Sequence, residues 1–422
     1  MKRLALSVLV VTALATTAVY VALKPASDTS PASPSTDEPT ALVARGEYLA
    51  RAGNCLACHT APGGTPGAGG RAMDTPFGTL YTSNLTSDAK TGLGQWSADD
   101  FWNALHDGRG RDGRLLYPAF PYTNYTRVTR ADADALFAWL QTLPAVDQPN
   151  RTHALRFPYD TQAALLAWRT LYFKPGVFQP DAGKPAEWNR GAYLVQGLGH
   201  CSACHAPRNA LGASTDPDAL AGGLMPGQNW YAPSLASPHE ASVADWPQAE
   251  VVALLRDGVT PHATAAGPMA EVVFGSTQHL SAADLDAMAV YLKALPQTRP
   301  VKSDFAGVQD ELRRERGAQL YADQCADCHG ERGEGRPGVW PALAGNRAVS
   351  MDPPANAIRT VLGGGYAPAT RGNPRPYGMP PFAASLSDDD IAMVVSHIRG
   401  SWGNSASPVS SVDVQRLRGN LR

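Results

Sequence analysis

The 422-residue chain has no surplus of either charge: 36 Lys and Arg stand against 38 Asp and Glu, a formal net charge of −2. Charged residues make up only 18% of it, and no basic stripe runs along any segment. That excludes the electrostatic footprint of a nucleic-acid-binding protein. Catalytic signatures are missing as well. No Ser-His-Asp arrangement, no paired-carboxylate signal and no glycine-rich nucleotide loop stands out. Cysteine is scarce, at 6 residues, and all of it falls in one repeated motif, so none remains for a disulfide. Glycine (40) and proline (35) are plentiful instead. The chain is loop-rich, and its core needs something besides its own side chains.

The motif occurs as Cys55-Leu56-Ala57-Cys58-His59, Cys201-Ser202-Ala203-Cys204-His205 and Cys325-Ala326-Asp327-Cys328-His329. C-x-x-C-H is the attachment sequence of a c-type haem. Two thiols one helical turn apart add to the two vinyl groups on one edge of the porphyrin, and the next residue, His, reaches the iron as its fifth ligand. A zinc ribbon pairs two C-x-x-C units around one metal, and three units cannot pair off. A thioredoxin-like C-x-x-C needs no following His. The expectation is three covalently bound haem c groups, with His59, His205 and His329 on the irons. Each flat apolar ring would supply core that the side chains do not.

The copies share more than the motif. Arg45-Gly46-Glu47-Tyr48-Leu49, Arg190-Gly191-Ala192-Tyr193-Leu194 and Arg316-Gly317-Ala318-Gln319-Leu320 precede the three sites. Self-similarity at this spacing sets the architecture. In the first two copies Phe77 to Thr86 with Trp96 matches Gly227 to Ala236 with Trp246. Amphipathic helices follow over 98–107 and 248–257, each stopped by a glycine, Gly108 and Gly258. Thr129, Ser281 and Ser387, each with an Asp three residues on, resemble capping boxes that open final helices over 133–142, 285–295 and 391–399. The reading is an all-α protein of three tandem class I cytochrome c-like domains, 41–148, 189–297 and 298–402. A linker, 149–188, carries an apolar helix over 165–173 expected to brace the domains. Residues 403–422 are a polar tail with a short helix over 412–421.

Lys2 and Arg3 precede an uncharged, mostly apolar run from Leu4 to Leu23. Residues 1–24 read as a signal peptide or a membrane anchor, followed by a flexible Pro- and Ser-rich linker over 25–40. Both readings put the rest on the periplasmic side of an inner membrane.

A haem iron with one His has an open face, and what fills it decides between electron transfer and chemistry. Met379, in Tyr377-Gly378-Met379-Pro380-Pro381-Phe382, stands just before the last helix and reads as the third unit's sixth ligand. Met269, in Gly267-Pro268-Met269, holds the same place in the second. The first unit breaks the pattern: its loop is Leu116-Tyr117-Pro118-Ala119-Phe120-Pro121-Tyr122, with Phe120 at the ligand position. His106 lies on the neighbouring helix where the second unit has Arg256 and is the candidate replacement. Met73 and an iron left open are the alternatives. The bland reading of His106 is a cation near a helix C-terminus. His200, beside Cys201, is expected near a haem, and His153, His239, His262, His279 and His397 at the surface.

Taken together, the three C-x-x-C-H units, Arg-Gly-x-Tyr-Leu before two of them, the segments Thr75 to Thr86 and Gly199 to Asn209, and Tyr377 to Ala383 resemble the triheme cytochrome c subunit of bacterial membrane-bound dehydrogenases. These act on alcohols, gluconate, sorbitol or aldehydes. The likeness covers residues 41 to 402. It implies a chain without a substrate site that takes electrons from a catalytic dehydrogenase subunit and passes them to ubiquinone or a terminal oxidase. The family carries Met where this chain has Phe120. Two other readings remain: a peroxidase-like haem enzyme at an open first haem, with His106 as acid–base group, and a free periplasmic electron carrier.

Overall fold

The structure, a computed structural model, describes residues 38–225, 227–298 and 311–419. The signal or anchor over 1–24 and nearly all of the linker after it lie outside the described residues. Among the described residues no helix is long and apolar enough to cross a membrane.

Each unit is built on a first helix, a middle helix and a last helix. In unit 1 these are α1 (Pro39–Ala52), α2 (Ala98–Asp107) and α3 (Arg130–Leu140). The linker contributes α4 (Gln162–Tyr172). Unit 2 has α5 (Ala186–Tyr193), α6 (Gln248–Asp257) and α7 (Ala282–Lys293). Unit 3 has α8 (Glu311–Gln324), α9 (Ala355–Gly363) and α10 (Asp388–Gly400), and α11 (Ser411–Arg418) follows in the tail.

First and last helices cross in every unit, and the Arg-Gly pair is the reason they can. A Cβ on Gly46 would stand 1.9 Å from the Ala135 carbonyl oxygen. One on Gly191 would stand 2.0 Å from that of Ala287, and one on Gly317 2.6 Å from that of Met393. Only glycine lets the two backbones approach so closely. The preceding arginine ties the same crossing. Arg45 reaches Asp132 at 2.6 Å, Arg190 reaches Asp284 at 2.8 Å and Arg316 reaches Asp390 at 3.2 Å. Those aspartates are the third residues of the last helices. Thr129, Ser281 and Ser387 cap these helices by accepting from the Asp132, Asp284 and Asp390 backbone N–H groups. The last helices therefore begin directly after their caps, three residues before the starts read from apolar spacing, because the polar first turn is already helical.

The middle helices α2 and α6 have the bounds read from sequence, and both end on left-handed glycines, Gly108 at φ 59° and Gly258 at φ 74°. Unit 2 has one residue more than unit 1 between its Arg and its first Cys. A π-helical turn, Leu194–Leu198, takes up the extra residue. Three clusters of buried side chains form the core. Leu49, Phe101, Leu105 and Leu136 belong to the first, Leu194, Val251, Leu285 and Met288 to the second, and Leu320, Ile358, Leu362 and Ile391 to the third.

A small antiparallel sheet escaped the sequence reading. β1 (Ala72–Thr75) pairs with β2 (Gly78–Tyr81), which pairs with β3 (Ala154–Leu155) from the linker. Strands this short carry no readable alternation. The linker helix α4 is a brace, as expected. Gln162 accepts from the Leu115 N–H at 2.8 Å in unit 1, and Trp168 donates to the Leu211 carbonyl at 2.9 Å in unit 2. The tail helix packs on its neighbour: Val414 is fully buried against unit 3, and the Arg418 guanidinium donates to the Leu386 carbonyl at 2.9 Å. His397 is not a surface residue either. Its half-buried ring lies between Tyr321, at 5.6 Å, and Trp402, at 5.4 Å.

Candidate haem sites

Each C-x-x-C-H segment folds as a single helical turn, so its two thiols and its imidazole leave from one short element. The imidazoles are all oriented in the same way. His59 Nδ1 lies 2.7 Å from the Ser83 carbonyl, His205 Nδ1 2.7 Å from that of Pro233, and His329 Nδ1 2.9 Å from that of Pro341. A carbonyl can only accept, so Nδ1 carries the proton and the Nε2 lone pair is left for a metal. Ser83 and Pro233 hold the same place in the matched middle segments of units 1 and 2. Burial holds all three imidazoles below the ordinary histidine range, against a smaller opposing pull from the carbonyls. They stay neutral, as iron ligands must.

Burial also pushes the thiols up, with the second cysteine of each pair adding to it: Cys55 and Cys201 to about 12 and Cys325 to about 11. Cys58 and Cys328 are exposed. Burial raises Cys204 too, Arg208 opposes it, and Cys58 of unit 1 adds a smaller rise. Two arginines that sequence reasoning missed steady the motif turns. Arg71 donates to the Ala57 carbonyl at 2.6 Å and Arg208 to the Ala203 carbonyl at 2.5 Å, each inside a C-x-x-C. They stand at different distances from their motifs, so no repeat pattern marks them.

A connected cavity of about 2720 Å³ runs through units 2 and 3 and reaches the edge of unit 1. Cys204, His205 and Met269 line it in unit 2, and Cys328, His329 and Met379 in unit 3. Each expected sulfur ligand thus lines the same cavity as the imidazole of its own unit. Met269 lies in the first turn of the helix Pro268–Gly275, and Met379 in a two-residue strand paired with Gly365–Tyr366. Arg359 also lines the cavity, over the Trp230 ring at 5.1 Å. Its Nε and Nη1 are buried without a hydrogen-bond partner, which suits a group that brings carboxylates, as a haem does. Among the described residues no set of three or more His, Cys, Asp or Glu could hold a bare metal ion. The donor set fits a planar ring carrying its own iron.

Unit 1 differs. Phe120 packs in the core with its ring 5.4 Å from that of Tyr125 and offers no donor. His106 is 2% exposed and stacks on Trp102, with ring centroids 4.4 Å apart and planes 10° apart. Its Nδ1 is 3.4 Å from Thr126 Oγ1. It lies about 100° around α2 from Leu105, on the flank of the face that enters the core. Met73, on β1 opposite Leu80, lines the large cavity. Tyr125 was not singled out in the sequence. It is 6% exposed, and burial, together with the neighbouring Cys55 and Cys58, holds its phenol well above the ordinary range.

The cytochrome c family profile matches residues 43–144 and 314–402, which covers units 1 and 3. The gluconate 2-dehydrogenase cytochrome c subunit of Pantoea cypripedii is 40% identical over 397 residues, 90% of each chain. The alcohol dehydrogenase (quinone) cytochrome c subunit of Gluconobacter oxydans is 38% identical over 400 residues, 90% of this chain and 83% of that one. A nicotinate dehydrogenase subunit of Pseudomonas putida is 40% identical over 385 residues. That match spans 88% of this chain but only 32% of the relative's length.

Proposed function

The chain belongs to the family of cytochrome c subunits of dehydrogenases, and we propose that it is a three-haem electron-transfer subunit on the periplasmic side of the inner membrane. It accepts electrons from a catalytic dehydrogenase subunit and delivers them to ubiquinone or a terminal oxidase. The observation that carries this is the threefold Nδ1-to-carbonyl orientation of His59, His205 and His329. Iron held by these residues would supply one-electron exchange between its ferrous and ferric states. The protein's own residues do the rest. Cys55 and Cys58, Cys201 and Cys204, and Cys325 and Cys328 would anchor the three rings. Met269 and Met379 would offer the second and third irons soft sulfur, which favours the reduced state. The test is to purify the chain with its partner and add the partner's substrate without a mediator. The c-type haem bands should reduce. A chain that purifies alone and stays oxidised would indicate a free carrier.

For the first haem the reading is His106 as sixth ligand. Phe120 has no donor, and His106 is a buried imidazole on the helix that carries the core residues Phe101 and Leu105. Electron paramagnetic resonance of the oxidised protein should show a low-spin bis-imidazole signal that His106→Ala converts to high spin. A high-spin signal in the unaltered protein would support the open, peroxidase-like haem. A low-spin signal indifferent to the substitution would point to Met73.

A further inference from the structure

The tyrosine of Arg-Gly-x-Tyr is present in units 1 and 2 and replaced by Gln319 in unit 3. The last helices show why. Unit 3 closes its own capping box. Ser387 Oγ accepts from Asp390 N at 3.1 Å, and Asp390 Oδ2 accepts from Ser387 N at 3.4 Å. In units 1 and 2 the first half of the box is made and the second half is open. Thr129 N donates instead to Tyr193 OH at 3.2 Å, and Tyr193 OH donates to Asp132 Oδ2 at 2.5 Å. Ser281 N donates to Tyr48 OH at 3.1 Å, and Tyr48 OH donates to Asp284 Oδ2 at 2.6 Å. Tyr193 belongs to unit 2 and caps unit 1. Tyr48 belongs to unit 1 and caps unit 2. A phenol has one proton to give and lone pairs to accept, which is what an N–H and a carboxylate held apart require.

The exchange is reciprocal, and other contacts follow the same pseudo-symmetry. Asn124 of unit 1 donates to Ser202 Oγ at 2.8 Å and to the Gln196 carbonyl at 2.9 Å in unit 2. Ser276 of unit 2 donates to the Ala52 carbonyl at 3.0 Å in unit 1. These contacts surround the turns that enter Cys55 and Cys201. Unit 3 meets unit 2 differently. Arg347 pairs with Asp245 at 2.7 Å, Asn356 donates to the Tyr231 carbonyl at 2.7 Å, and Thr370 donates to the Asp257 carbonyl at 3.0 Å. Gln319 donates to Asp323 in its own helix at 2.8 Å.

We propose that Tyr48 and Tyr193 are positioning residues which lock units 1 and 2 into one two-haem body by completing each other's helix caps, and so fix the approach of the first two haems. Among the described residues, unit 3 is docked on that body without such a lock. The inference rests on the reading that each motif carries a haem. It also explains why a tyrosine and a capped aspartate recur together in two units and why the tyrosine alone is missing from the third.

Phenylalanine at either position removes the hydroxyl but leaves the N-cap N–H and the aspartate free to close on each other, as they do in unit 3. Tyr48→Phe, Tyr193→Phe and the double variant should therefore keep their helices and haems while the pair loosens. The experiment uses the full-length haem-loaded protein. Haem per chain is counted first, in the parent and in each variant. The Soret circular dichroism couplet then reads the coupling between neighbouring haems, and amide exchange over 122–126 and 194–198 reads opening of the interface. Each single variant should raise that exchange about tenfold, the loss expected for one hydrogen bond to a charged group. The double variant should exceed either single one and diminish the couplet, with haem content unchanged. Gln319→Ala should move neither. An unchanged couplet and unchanged exchange in the double variant overturn the lock, and so does haem loss in the single variants, which would make the tyrosines part of their own haem sites. A parent with fewer than three haems would instead fault the haem reading on which the inference rests.

Discussion

The imidazole of His200 lies 5.6 Å from the ring of Tyr125, so a residue beside the second haem motif touches a residue packed against the first. His200 holds φ at 37°, and Asn54, at the corresponding place before Cys55, holds it at 51°. Both are left-handed, a region that Asn tolerates and branched side chains resist. His200→Asn should therefore keep stability within about 1 kcal/mol, whereas His200→Val should cost about 2 kcal/mol in backbone strain. Denaturant unfolding followed in the Soret band measures both. Equal losses would mean that the ring contact outweighs the backbone.

The helix crossings make a second prediction. Gly191→Ala would put a methyl group 2.0 Å from the Ala287 carbonyl oxygen and Gly317→Ala one 2.6 Å from that of Met393. Overpacking of this kind costs roughly 1–3 kcal/mol or more. Gly191→Ala should be the worse of the two, read as a lower thermal midpoint. A tolerated Gly191→Ala would mean that α5 and α7 do not cross as described.

Met269→Ala and Met379→Ala should each abolish the thioether-to-iron absorption band of one haem and lower its potential. Potentiometric titration of the three haems separates the effects, one haem per variant. If both variants keep the full band, the sixth ligands lie elsewhere.

Asp284 links the two-haem body to pH. Burial alone would raise its carboxyl, but hydrogen bonds from Arg190 and Tyr48 outweigh burial and hold it below the usual carboxylate range. With the folded value depressed, the unfolded chain binds more protons, so stability rises with pH through this window. Its contribution is complete above about pH 4 and disappears as the pH falls through the depressed value. Asp284→Asn should flatten that acid limb. An acid limb of unchanged slope in the variant would assign it to other carboxylates.

Much of this was legible in the sequence because it is local. The three motifs, the middle helices and the cap signals each lie within a dozen residues, where spacing alone reports geometry. The sequence placed Tyr48 and Tyr193 in a repeat but could not say that each serves the other's unit, since a partner more than two hundred residues away, as Asp284 is from Tyr48, leaves no periodic trace. The carbonyls of Ser83, Pro233 and Pro341 are backbone groups and have no sequence signature at all. The same limit hid β3, which is two residues long and exists only because β2 offers it an edge. Sequence logic put His106 on a helix over 98–107, and packing decided that its ring would stack on Trp102.

The most direct test of the whole account is the number of covalently held haems in the purified chain. Denatured in alkaline pyridine, the protein should give a c-type spectrum with three haems per chain, none extractable by acidified acetone. A count of two, or any extractable haem, would contradict it.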